Sequence, residues 1–152
     1  MSWSTRDLMT GLAEHLGQSG LVDWRPPPAV YAAPYSGPVA VFEQLPDGPD
    51  RAVAISVYLG PVSQGGLSDV LVGVQLLWRG PDVDSVRDDA DAVYTALDGA
   101  RHVTLGQDGR LVHTSLIERT SSAPLGLDDS GRRLRSDNYL ITASRSTAWR
   151  PD

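Results

Sequence analysis

LSDVLVGVQLLWRGPDVDSVRDDADAVYTALDG, residues 67–99, carries two periodicities back to back. From Leu67 to Trp78 the side chains alternate in sets of two. Val70, Val72, Val74 and Leu76 fall on one side, and Leu71, Gly73, Gln75 and Leu77 on the other, which is the pattern of a β-strand. Aliphatic residues on both sides predict an inner strand, or an outer one covered by a partner. Arg79-Gly80-Pro81-Asp82 then breaks the run. Beyond it Val86, Ala90, Val93 and Leu97 recur at spacings of four, three and four, the buried stripe of an amphipathic helix. Asp82 or Asp84 is placed to cap that helix by accepting its orphan N–H groups, and Asp98-Gly99 closes it. Its outer face carries Asp88, Asp89 and Asp91, with Arg87 four residues before Asp91. A strand running straight into such a helix points to helices laid on a sheet.

The flanking chain fits that frame. Leu8, Met9, Leu12 and Leu16 form one stripe on a first helix, capped by Thr5 and ending near Gln18. GLVDWR (20–25) reads as a short strand or extended lead. RPPPAVYAAPYSGP (25–38) is too rich in proline for a helix and follows an extended surface path. PVAVFEQL (38–45) is a short strand, LPDGPD (45–50) a turn, and RAVAISVYLG (51–60) a strand. GPVSQGGLS (60–68) reads as a flexible loop. After the second helix, GQDGR is a tight turn, followed by a strand at Leu111–Ser121. Residues 122–137, SAPLGLDDSGRRLRSD, read as a turn-rich excursion with a β-turn at Asp128–Gly131, and NYLITASRSTAW (138–149) as the last strand. The expected fold class is α+β: a single domain over residues 1–152, with an antiparallel or mixed β-sheet and two α-helices packed on one face.

Composition narrows the chemistry. The chain has 152 residues, a net charge of −6 and no cysteine. Disulfides, thiolate catalysis and cysteine-bearing zinc sites are therefore excluded. Every one of its 13 basic residues outside histidine is arginine. No lysine means no Schiff base and no P-loop lysine. Ser136-Asp137-Asn138 matches the S-D-N element of serine acyl-transferases, but that chemistry needs a Ser-x-x-Lys and a K-T-G beside it. A net negative charge repels a phosphate backbone. The start of the chain lacks the charged and apolar regions of a signal peptide, and no apolar run reaches the roughly 18 residues of a membrane span. An aqueous setting without a membrane is expected.

No convergent catalytic set stands out. His15, His102 and His113 match no zinc spacing and read as helix-surface, surface and strand residues. The aspartates at 82, 84, 88, 89 and 91 offer hard oxygen ligands for Mg²⁺ or Ca²⁺, yet without a glycine-centred loop they read first as a solvated acidic face. No metal or other cofactor is expected, and no enzyme activity. Two minority readings remain: a metal-assisted hydrolase built on those aspartates, and a nucleic-acid module built on the arginines at 132, 133 and 135. Signs of interaction are stronger. Trp3, Trp24, Trp78 and Trp149 exceed the needs of one small core, and aromatic and arginine side chains anchor protein interfaces.

Four stretches, in this order, resemble the minor tail or tail terminator proteins of long-tailed bacteriophages, also labelled minor capsid proteins. They are LMTGLAEHLGQSGLVDW (8–24), LPDGPDRAVAISVY (45–58), VGVQLLWRGPDVDSVRDDADAVYTALDG (72–99) and LGLDDSGRRLRSDNYLITA (125–143). The resemblance implies a tail-terminator-like fold. It also implies a structural protein that forms a closed, commonly hexameric ring at the head-proximal end of the tail tube in the virion, after assembly in the host cytoplasm. Such a ring stops tube polymerisation and offers a surface to head-completion or connector proteins. The partners implied are copies of the chain itself, the tail tube protein, a head-completion protein, and genomic DNA passing through the lumen without specific binding. A head–tail connector or adaptor is the alternative within the same class.

The interface residues expected on this basis are Arg79, Arg132, Arg133, Arg135, Asp137, Asn138 and Tyr139. Arg79 ends the central strand, where it would pair with a carboxylate. Asp137, Asn138 and Tyr139 would begin the last strand, with the acid and amide fixing the loop through Asx-type backbone bonds. Reversing the charges of Arg132, Arg133 and Arg135 would impair docking with little change in monomer stability.

Overall fold

The computed structural model describes residues 2–63 and 68–146. Helix α1 spans Thr5–Gln18. Its cap is Ser4, one residue earlier than expected, because Ser4 is extended and exchanges two bonds with Asp7. The Ser4 hydroxyl accepts the Asp7 N–H at 3.1 Å, and the Asp7 carboxylate accepts the Ser4 N–H at 2.9 Å. This capping box satisfies two orphan donors at once. Leu8, Leu12 and Leu16 are fully buried, each contributing about 1.5–3 kcal/mol by leaving water.

Strands β1 (Val39–Phe42), β2 (Ala52–Ser63) and β3 (Asp69–Gly80) come next, followed by helix α2 (Val83–Leu97). The short β4 (Ala100–Arg101) and β5 (Thr104–Leu105) lead to the long β6 (Val112–Leu127) and β7 (Arg133–Ser144). The sheet order is β1-β2-β3-β7-β6-β4, with β5 on β6. β1 runs parallel to β2 and the other pairs are antiparallel, so the sheet is mixed. Residues 20–25 contribute only one parallel bridge, Asp23 to Val39.

β3 is central, as its two-sided aliphatic pattern requires. Its register with β2 places Val53, Ile55 and Val57 opposite Trp78, Leu76 and Val74. Its register with β7 places Ala143, Ile141 and Tyr139 opposite Val70, Val72 and Val74. These residues form one apolar layer, and both helices pack their stripes into it: Leu8, Leu12 and Leu16 from α1, and Val86, Ala90, Val93 and Leu97 from α2. Asp82 is the α2 cap, accepting the Ser85 N–H at 2.8 Å. The α+β class with two helices on one face holds.

Residues 122–137 are not an excursion. β6 continues to Leu127 and β7 begins at Arg133, so the segment is the end of one long hairpin. The turn itself lies where expected, with the Gly131 N–H donating to the Asp128 carbonyl at 3.0 Å. Pro124 and Gly126 look like turn residues, but they sit at a register shift, where Gly126 takes a φ of 86°. A bulge tolerates that geometry without ending the strand. Gly60–Ser63 likewise belong to β2 rather than to a loop; the rest of that expected loop, 64–67, lies outside the described residues.

Candidate assembly interface

The arginines at the hairpin end have different duties. Asp128 Oδ1 accepts the N–H groups of Ser130 and Arg132, both at 2.9 Å, while its Oδ2 accepts Arg132 Nε at 2.9 Å. Those bonds hold the Asp128 carboxyl below its ordinary range, the Arg132 backbone N–H being the largest cause. Arg132 also donates to the Asp47 carbonyl at 2.6 Å. Arg79 is buried and donates to the carbonyls of Pro49, at 2.7 Å, and Asp50, at 3.1 Å. It takes carbonyl partners where a carboxylate was expected, because the 47–50 turn presents its backbone to the end of β3. Arg79 and Arg132 thus clamp one turn from two sides. Arg135 is partly buried, with Nε on Asp137 at 3.1 Å and its terminal nitrogen 4.0 Å from Asp91. Arg133 alone of the three is exposed. Because Arg132 and Arg135 hold the fold, reversing all three charges would not spare the monomer.

Asp137, Asn138 and Tyr139 stand in the middle of β7, not at its start. Asp137 is fully buried, and its Oδ1 accepts Ser122 Oγ at 2.6 Å together with Arg135 Nε. Asn138 donates to Ser121 Oγ at 2.9 Å. The expected Asx-type backbone bonds are thus replaced by cross-strand side-chain bonds, since the hairpin brings β6 alongside. Tyr139 is buried, and burial first, then the Asp137 charge, pushes its phenol well above the usual tyrosine range.

The tryptophans serve the core instead of the surface. Trp3 and Trp78 are buried, and Trp24 stacks on Phe42 with centroids 5.1 Å apart; Trp149 lies outside the described residues. On α2 the salt partners also shift. Arg87 reaches Asp84 at 3.8 Å, and Asp89 is held by Arg51 through two bonds of 2.7 and 3.1 Å. Asp84, Asp88 and Asp91 keep an exposed acidic face. Among the described residues, no three histidine or acidic side chains converge to hold a metal ion.

Among the described residues, large apolar side chains are exposed at Val30 and Tyr35 of the proline-rich segment, at Val83, and in two patches on the sheet. Tyr58, Leu59 and Val62 lie at one end of β2, and Leu125 and Leu127 at the far end of β6; Leu127 is 55% exposed. Beside the second patch, a cavity of about 330 Å³ opens between α2 and the hairpin, lined by Val83, Val86, Arg87, Pro124, Arg133 and Arg135. A cleft of about 590 Å³ runs between α1 and the proline-rich segment, with Arg6, Glu14, Trp24, Pro26, Phe42 and Arg110 on its walls. Sequence reasoning took the segments that hold Val62, Leu125 and Leu127 as long stretches suited to contacts, without naming these side chains. Their signal was present as charge-free stretches, VYLGPV and TSSAPLGL, in a chain that is 21% charged.

The model of the bacteriophage tail terminator protein family matches residues 15–145. The chain belongs to the bacteriophage tail terminator family. A search of curated proteins gives no match. Among solved structures, the chain is similar in fold to a component of the virion of the native gene transfer agent (GTA) particle. The TM-score is 0.54 at 14% identity, covering 68% of this chain and 78% of that one. Family membership makes this a structural protein of the phage tail.

Proposed function

We propose that the chain assembles head to tail into a closed ring, six subunits being the number the family resemblance implies. The ring caps the head-proximal end of the tail tube, stops its growth and receives a head-completion or connector protein. Family membership supports the terminator role. The observation that carries the ring is the pair of exposed apolar patches, Tyr58–Leu59–Val62 and Leu125–Leu127, which lie at opposite ends of one sheet. Unlike patches on one subunit make heterologous contacts, and a heterologous contact that repeats under rotation closes into a ring. Asp84, Asp88 and Asp91 give DNA no anchor, so a lumen bordered by α2 lets the duplex slide by like-charge repulsion.

Light scattering followed by electron microscopy tests the ring, and adding the protein to polymerising tube protein tests termination. Ring-shaped particles and tubes of shortened length are expected. A monomer at every concentration that also leaves tube length unchanged rules the reading out.

A further inference from the structure

Resting on that ring reading, the geometry points to a specific junction: the free edge of β6 in one subunit pairs antiparallel with the free edge of β2 in the next, so that the sheets join around the ring. Each edge is covered over part of its length only. β1 pairs with β2 from Ala52 to Ile55 and goes no further. β4 pairs with β6 at Leu116 and Ile117, and Asp98 then takes the Arg119 N–H at 2.8 Å. Beyond these points, Val57–Val62 of β2 and Thr120–Leu127 of β6 have no strand on their outer side among the described residues.

Isolated edges in soluble proteins are normally blunted by charge, because a row of bare N–H and C=O groups recruits other chains. Neither of these stretches carries a charge, and both expose aliphatic side chains. Pro61 and Pro124 each remove a donor, and register shifts interrupt both strands, so each edge is partly blunted. The junction therefore has fewer ladder bonds than β3 with β7, and its apolar contacts carry more of it.

The positions of the two edges also fit one another. The middle of the free β2 stretch, Leu59, is level with Gly73, whereas the middle of the free β6 stretch, Pro124, is level through Arg135 with Trp78. The offset from Gly73 to Trp78 is about 17 Å along the strands, and one subunit advances the sheet by four strands, about 19 Å. Matching the edges therefore tilts the strands by roughly 40° to the ring axis, within the 35–45° at which sheets close on themselves. With that offset, β1 of the incoming subunit lies past Leu127, and β4 of the receiving subunit lies past Val62. Each short strand occupies the part of the edge that the junction leaves over.

The chain has no cysteine, which allows a direct test in the intact protein. Within one subunit Leu59 and Leu125 are separated by about 20 Å, three strands across and five residues along. A disulfide requires Cα atoms within about 7 Å, so a bond between cysteines at these positions must join two subunits. Oxidising assembled L59C/L125C is expected to give a covalent ladder ending at the ring size, while each single-cysteine variant gives none. A second test uses charge. Leu59→Lys/Val62→Lys and Leu125→Lys/Leu127→Lys should each remain folded, by circular dichroism, and monomeric. Mixed together they should form a one-to-one heterodimer, since each keeps the edge that the other has lost. Rings that yield no ladder, or that form normally from both lysine variants, overturn the junction and leave the ring standing. A wild-type monomer under all conditions removes the ring and the junction together.

Discussion

Arg119 lies with its guanidinium 3.8 Å from the centre of the Tyr94 ring, so that β6 is fastened to the outer turn of α2. The same guanidinium comes within 3.8 Å of the buried Asp137 Oδ2. Arg119 therefore joins helix, edge strand and buried carboxylate. Its planar, weakly hydrated group suits both the aromatic face and the carboxylate, which a lysine ammonium does not reproduce. Arg119→Lys is expected to cost about 0.5–2 kcal/mol. Asp137→Ala leaves two arginines facing an empty site and should cost about 3–5 kcal/mol, the range for breaking a buried pair from one side. Urea denaturation of the two variants checks the ranking; equal stability would show that the cluster is not held as a unit.

Among the described residues, the arginine cluster splits into holders and one exposed cation, Arg133. Arg133→Glu should leave stability within about 0.5 kcal/mol of wild type, as surface changes do. Arg132→Glu breaks the Asp128 and Asp47 contacts and places a carboxylate against another. It should cost about 1–3 kcal/mol, the range for a hydrogen bond to a charged group and for a buried group left without its partner. If Arg133→Glu nevertheless prevents docking onto tubes, the exposed arginine is the contact; unchanged docking assigns that role elsewhere.

Asp23 is expected to make the proline-rich segment sensitive to acid. Its carboxylate accepts two bonds from Arg25, both at 3.0 Å, and the Ser36 N–H at 3.1 Å. The Arg25 bonds are the largest cause holding its carboxyl below the ordinary 3.8. A carboxyl depressed in the folded state contributes stability that is present above its unfolded pKa and lost as pH falls through the lower folded value. Wild type should therefore lose stability on acidification below about pH 4 more steeply than Asp23→Asn, which is weaker near neutrality and flatter in acid. Thermal unfolding from pH 7 to 2.5 checks this. Parallel curves for the two proteins would exclude Asp23 as the acid-labile group.

The elements most legible in the sequence were those with a long, clean period. The Val86–Ala90–Val93–Leu97 stripe and the alternation from Leu67 to Trp78 place α2 and β3 within two residues of where they lie. The hairpin end was misread because Pro124, Gly126 and the Asp128–Gly131 turn carry the same local signals, and only pairing with β7 tells a bulge from a break. At the candidate interface, residue type pointed to the arginines. Whether an arginine is free depends on carbonyls and carboxylates distant in the chain, such as Pro49 for Arg79 and Asp47 for Arg132. The open strand edges show in the sequence only as stretches without charge; that they are open follows from where β1 and β4 stop.

Gly11 offers a test in which two local effects oppose each other. It lies in the middle of α1, where alanine is normally better than glycine by about 1 kcal/mol. An exposed site would thus gain from the change. Here a Cβ on Gly11 would meet the Gly106 backbone nitrogen at 2.9 Å and the Leu105 carbonyl carbon at 3.2 Å. Gly106 cannot readily move aside, since it has a φ of 90° and already lies against the Arg110 carbonyl. Overpacking of this kind costs about 1–3 kcal/mol, enough to cancel or exceed the helical gain. Gly11→Ala is expected to lower stability by up to about 2 kcal/mol, which for a chain of this length is a fall in Tm of about 4–8 °C. Gly20, with nothing near its missing Cβ but a φ of 74°, is the control: Gly20→Ala should cost about 1–2 kcal/mol through backbone strain alone. A higher Tm for Gly11→Ala would mean that the β5 turn yields, and that the contact between α1 and β5 does not fix how the helix sits on the sheet.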